Sequence, residues 1–158
     1  MRKIKERTTD LGVKQLDAAS RLRMVSEFVT AENRLILLDY DGTLVPFASK
    51  PHMASPDNEL LTTNLDIHVL PGNKTIEVRT TGISKGAFFR QFFAAATFSF
   101  IFAAGDDWTD EDLFAVLPAE AYSIKVGMQM SKARYNVSAH PNVRSLLNQL
   151  TEAADARN

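Results

Sequence analysis

The chain has 158 residues, 45% of them apolar and 23% charged, with a net charge of -1 and no cysteine. This is the composition of one ordinary globular domain with a real core; it carries no global field for nucleic acid or an anionic membrane, and it excludes disulfides and thiolate metal sites. No apolar run follows the basic start Arg2, Lys3, Lys5 and Arg7, and no stretch is long enough to span a bilayer, so a cytoplasmic protein is the expectation.

Residues 1–9 are polar. From Leu11 to Val29, apolar residues at Leu11, Leu16, Ala19, Leu22, Met24, Val25 and Phe28 predict an amphipathic helix. Leu35-Ile36-Leu37-Leu38 is a continuous apolar run, as in a strand buried on both faces of a parallel sheet. It runs into Asp39-Tyr40-Asp41-Gly42-Thr43-Leu44. A loop with Pro46, Pro51 and Pro56 follows, then one short helix within residues 57–66. Ile67 to Leu70 and Thr75 to Arg79 flank Pro71-Gly72-Asn73, which predicts a β-hairpin.

Ser84 suits the N-cap of a helix from Lys85 to Ala96, with Phe88, Phe89, Phe92 and Phe93 on one face as core. Phe98 to Ala104 predicts a second buried strand, which also ends in acids: Gly105-Asp106-Asp107-Trp108-Thr109-Asp110-Glu111-Asp112. A helix over 110–116, a strand over 122–126, a helical turn near Ser131-Lys132-Ala133, a strand over 135–137 and a helix from Pro141 to Ala154 complete the order. Repeated βα units with an inserted hairpin predict an α/β fold on a parallel sheet. Asn136-Val137-Ser138 matches the glycosylation triplet, which reads as chance in a chain without a signal.

A strand this buried does not normally end in two acids, because each loses hydration there. The crevice beyond the carboxyl ends of strands is where open α/β sheets bind ligands. Alone, Asp39-x-Asp41-Gly42 also fits a plain turn. An EF-hand loop does not fit, since it needs a third oxygen ligand before its glycine and entry from a helix. In the second cluster, Thr109-x-x-Asp112 has the form of a capping box, and acids are favoured in a helix's first turn. That accounts for Asp110, Glu111 and Asp112 but not for Asp106 and Asp107.

If the two strands are neighbours, at least three carboxylates meet at one edge of the sheet. Like charges there raise each other's pKa unless something positive intervenes. Oxygen ligands with no histidine nearby favour Mg²⁺ over zinc. Lys85 adds a cation at a helix start, a place that disfavours one unless an anion is bound. Together these predict a phosphoryl site. Asp39 would attack phosphorus to form an acyl phosphate, Asp41 would serve as general acid and then base, and Mg²⁺ with Lys85 would neutralise the equatorial oxygens.

The motifs resemble those of the haloacid dehalogenase superfamily of phosphatases. The longer strings are similar to trehalose-6-phosphate phosphatases, and most of all to the phosphatase half of two-part trehalose-phosphate synthase/phosphatase chains. These strings are Leu37 to Leu44, Val69-Leu70-Pro71-Gly72-Asn73-Lys74 with Ile76 to Arg79, Gly82-Ile83-Ser84-Lys85-Gly86, and Gly105 to Phe114. The resemblance implies a Rossmann-like parallel sheet of the haloacid dehalogenase type, with residues 1–33 as linker and helix and 34–158 as the core. It implies a Mg²⁺-dependent phosphomonoesterase that converts trehalose 6-phosphate to trehalose. By the same resemblance Asp39 and Asp41 are catalytic; Asp39, the Asp41 backbone carbonyl and Asp106 hold the metal; Lys85 binds phosphate; Asp107 and Asp110 complete the acidic loop. The implied partners are a small sugar phosphate and a trehalose-phosphate synthase domain or subunit.

There is one departure from the family. Relatives carry, after the region matching Leu60-Leu61, another core strand ending in a hydroxyl motif and then a sugar-binding cap. Here Asn58-Glu59-Leu60-Leu61 passes directly to Thr62-Thr63-Asn64-Leu65-Asp66, which resembles the family's text after the cap. The chain therefore reads as capless and internally shortened. That leaves an alternative: a weak or inactive remnant that binds or interacts beside a synthase.

Overall fold

The computed structural model describes residues 12–46, 85–92 and 97–157. The expected short helix within 57–66, the hairpin around Pro71-Gly72-Asn73 and the Ser84 cap lie outside these residues. Strands β1 (Arg34–Leu38), β2 (Phe100–Gly105), β3 (Tyr122–Val126) and β4 (Tyr135–Val137) form one parallel sheet in that spatial order. Leu38 pairs with Ala104, and the Asp39 N–H continues the ladder to the Ala104 carbonyl at 3.0 Å. The two acid-tipped strands are thus neighbours that end level.

Alternation along the strands divides the core in two. Phe100, Phe102, Ala104, Tyr122, Ile124 and Val126 pack with Met24 and Phe28 of α1 (Ala18–Thr30) and with Val143, Leu146, Leu147 and Leu150 of α4 (His140–Asp155). On the other face, Leu35, Leu37 and Ala103 pack with Phe89 of α2 (Lys85–Phe92) and with Leu113 and Phe114 of α3 (Asp110–Phe114). The result is helix layers on both faces of a parallel sheet, as the apolar runs predict. Among the described residues no helix is long and apolar enough to cross a membrane.

Three expectations are corrected. The first helix begins at Ala18, not near Leu11. Residues before it run alongside β4 instead: Asn136 N–H donates to the Lys14 carbonyl at 2.6 Å, and Leu16 N–H donates to the Asn136 carbonyl at 3.0 Å. Asp17 then caps α1 by accepting from the Ser20 N–H at 2.6 Å. Residues 131–133 are not helical; Ser131 pairs with Gly12, and its hydroxyl accepts from the Ala133 N–H. Of the phenylalanine face on α2, Phe89 is buried but Phe88 is exposed, and the Phe92 and Phe93 side chains lie outside the described set. Asn136 is fully buried, with Nδ2 donating to the Gly127 and Gln129 carbonyls, so its triplet is no glycan acceptor in this fold.

Candidate active site

The turn after β1 is built by one residue of unusual backbone. Gly42 has φ 79, a region that disfavours any side chain, and its N–H donates to the Val45 carbonyl at 2.8 Å. The turn returns the fully buried Thr43 towards the sheet, where its Oγ1 donates to Asp106 Oδ1 at 3.2 Å. After β2, Gly105 lets α3 come close: a Cβ there would overlap the Asp110 carboxyl group. A Cβ on Gly86 would likewise overlap the Asp112 carbonyl, so α2 also lies tight against α3.

These approaches gather three acids. Asp39, Asp106 and Asp110 each place a carboxylate oxygen within 4.8 Å of the others. Lys85, the first residue of α2, sets its Nζ 2.6 Å from Asp39 Oδ1 and 2.5 Å from Asp110 Oδ1. Asp110 is 1% exposed, so its charge is held by these contacts rather than by water. Asp107 does not join the three. Its Oδ1 accepts from the Trp108 N–H at 2.6 Å, and its own N–H donates to Asp110 Oδ2 at 3.0 Å. The carboxylate of Asp41 is also outside the group, and its Oδ1 is buried with no hydrogen-bond partner among the described residues.

The titrations follow from this crowding. Burial, then the charge of Asp39, pushes Asp106 up to about 6, against the pull of the Thr43 hydroxyl. Burial also raises Asp110, although Lys85 opposes it. For Lys85, burial favours the neutral amine, but the hydrogen bonds it donates to Asp110 and Asp39 outweigh it and the ammonium is held above its usual range. One ammonium against three carboxylates leaves the cluster short of positive charge.

A family model described as trehalose-phosphatase matches residues 58–150. The chain belongs to the trehalose-phosphatase family. The bifunctional trehalose-6-phosphate synthase/phosphatase of Thermoproteus tenax is 40% identical over 84 residues, which is 53% of this chain and 12% of that protein. The trehalose-phosphatase of Schizosaccharomyces pombe is 40% identical over 63 residues, 37% of this chain and 8% of that protein. The chain therefore spans only a small part of the length of these curated relatives. A structure of Aspergillus fumigatus trehalose-6-phosphate phosphatase superposes with a TM-score of 0.64 at 17% identity, covering 90% of this chain and 100% of that one. That likeness shows a shared fold.

The stretch matched to the trehalose-phosphatase family contains Lys85, Asp106, Asp107 and Asp110, while the Asp39–Asp41 turn precedes it. The capping-box reading of Thr109-x-x-Asp112 fails: Thr109 makes no side-chain cap bond. Asp110 is instead buried in the cluster, and Glu111 accepts from the Ser131 hydroxyl at 2.6 Å and the Lys132 N–H at 2.7 Å. Sequence reasoning gave no role to Thr43 or to Lys125, a buried lysine beside the acidic loop. Lys125 carried a legible signal, being the one charge in the apolar run Tyr122-Ser123-Ile124-Lys125-Val126.

Proposed function

We propose that this chain is a phosphomonoesterase that converts trehalose 6-phosphate to trehalose with Mg²⁺ as its cofactor. The observation that carries the reading is Lys85 bonded to Asp39 on one side and Asp110 on the other. It joins the turn that lies outside the matched stretch to the acidic loop within it. The donor set fits a hard divalent cation: oxygen ligands only, crowded within 4.8 Å, with Asp106 pushed up to about 6 by burial and then by the charge of Asp39. Asp39 and Asp106, with the Asp41 backbone carbonyl, would hold the ion. Bound there, Mg²⁺ supplies charge neutralisation for the phosphoryl oxygens.

The chain's own residues carry the steps. An Asp39 carboxylate oxygen attacks phosphorus and the bond to the sugar oxygen breaks, leaving phosphate on Asp39. Asp41, as the acid, gives its proton to the departing sugar oxygen. As the carboxylate it then takes a proton from the water that attacks phosphorus, which frees inorganic phosphate and restores Asp39. Lys85 keeps its charge throughout and offsets that of the transferring group. The convergence of Asp39, Asp106 and Asp110 beside Lys85, and the similarity to named trehalose-phosphatases, favour this over a non-catalytic remnant. The test is release of phosphate from trehalose 6-phosphate by the full chain. Asp39→Asn is expected to lower the rate by more than about 10⁴-fold, and equal rates for the two proteins would end the proposal.

A further inference from the structure

Lys125 is 4% exposed and the steps above make no use of it. A buried ammonium is rare unless it is paired. Its register partner across the sheet is Gly105, the last residue of β2. From there Nζ donates to the Asp106 carbonyl at 2.7 Å and to the Asp107 carbonyl at 2.9 Å. Glu111 Oε1 stands 3.7 Å off, an ion pair but beyond hydrogen-bonding reach.

Each of those carbonyls belongs to a peptide group whose N–H, on the opposite side, donates to an aspartate. The Asp106 carbonyl shares its peptide with the Asp107 N–H, which donates to Asp110 Oδ2. The Asp107 carbonyl shares its peptide with the Trp108 N–H, which donates to Asp107 Oδ1. One ammonium therefore fixes both peptide planes of the turn from the oxygen side, and two carboxylates fix them from the nitrogen side. Drawing electron density to a carbonyl oxygen strengthens the N–H of the same peptide as a donor. Asp110, held through Oδ2, turns Oδ1 to Lys85 at 2.5 Å. Asp106, its carbonyl gripped by Lys125, directs its carboxylate into the group with Asp39 and Asp110.

We propose that Lys125 is a positioning residue: through the two peptide groups of the Asp106–Asp107 turn it preorganises the Asp106 carboxylate for a divalent cation and the Asp110 carboxylate for its bond to Lys85. This rests on the phosphatase reading for its purpose, and Lys125 itself touches neither substrate nor reacting atoms. Calorimetric titration of the full chain with Mg²⁺, wild type against Lys125→Met, tests it; methionine keeps an unbranched apolar stem and removes the donors. Affinity is expected to fall about 10–100-fold while the circular dichroism of the fold is kept. Phosphate release should fall at low Mg²⁺ and recover as Mg²⁺ is raised. Unchanged affinity in a folded variant overturns the proposal.

A second measurement stands on the wild type alone, should the variant not fold. Without metal, the amides of Asp107 and Trp108 are expected to exchange their hydrogens at least about 100-fold more slowly than an unstructured chain. Exchange at the unstructured rate overturns the proposal. Neither readout needs turnover. A wild-type chain that binds Mg²⁺ but releases no phosphate ends the phosphatase reading, and these two readouts still decide the role of Lys125.

Discussion

The two faces of the sheet are made differently. Against α1 and α4 the strands bury a column of rings: Phe28 lies edge-on to Phe100 at 5.2 Å, Phe100 stacks on Tyr122 at 5.5 Å, and Tyr122 stacks on Tyr135 at 6.3 Å. The polar end of the column is satisfied, since the Tyr122 hydroxyl donates to Glu27 Oε2 at 2.8 Å. Against α2 and α3 the packing of Phe89, Leu113 and Phe114 is interrupted by small residues, with Ala103 and Ala133 in the core and Gly86 and Gly105 at the close approaches. The room this leaves is taken by Asp110 and Lys85. Both faces draw on the same strand, because β1 and its extension send Leu35, Leu37 and Asp39 one way and Ile36, Leu38 and Tyr40 the other. Stability and chemistry are thus separated by the pleat, and each should be alterable without the other.

After Asp39→Asn, the largest expected effect tests the chemical side. Asp41→Asn should lower phosphate release roughly 10²–10⁴-fold, about 2.7–5.5 kcal/mol in the barrier. Its melting temperature should hold or rise, because Asp41 Oδ1 has no hydrogen bond among the described residues to lose. A variant that loses stability along with rate would break the separation. The converse is Phe102→Ala on the ring-bearing face, where Phe102 is 0% exposed. The cavity should cost about 3–5 kcal/mol by urea denaturation, with the activity of the folded fraction kept.

Gly105→Ala is the intermediate case, and it should violate the separation. The added methyl would overlap the carboxyl group of Asp110. Overpacking at such a contact costs about 1–3 kcal/mol. Relief requires Asp110 to move off Lys85, so the rate should fall as well. Denaturation and phosphate release measured on the same preparation check both halves. A loss of stability with full activity would mean that the Asp110–Lys85 contact is dispensable.

Much of this was legible in the order of residues, and the failures are local. The site's two halves could be read because Leu35 to Leu38 and Phe98 to Ala104 are apolar runs that stop at acids, a pattern the pleat alone does not produce. The start of α1 could not. Leu11 and Leu16 keep a helical spacing, but main-chain pairing with Asn136 at the open edge of β4 outweighs local propensity. From the residues alone Asp110 passes for a helix-start acid, and only the family resemblance sets it in the acidic loop: an acid in a helix's first turn needs no further explanation until Gly105 and Lys85 are seen beside it. Sequence spacing reports neighbours along a helix or strand, whereas Lys85 meets the loop from a packed helix and Lys125 from the adjacent strand.

The smallest effect is one of pH, and it has opposite signs in the two regions. Asp17 at the start of α1 is held below 3.8, chiefly by the Ser20 N–H, so its contribution to stability is present above its unfolded pKa and is lost as pH falls. Asp106 is pushed the other way, from 3.8 to about 6. Between those values the folded chain holds a proton that the unfolded chain has released, so metal-free stability should decline as pH rises through this window and level off above it. Thermal melts from about pH 4 to about pH 8 in a chelator, wild type against Asp106→Asn, isolate the contribution. The variant should lack the decline and melt above the wild type at neutral pH. Mg²⁺ in place of the chelator should raise the wild type most above pH 6, where no proton competes for Asp106, and the variant little. A wild-type decline that survives Asp106→Asn would place the crowding elsewhere, and with it the deficit of positive charge that the metal is proposed to fill.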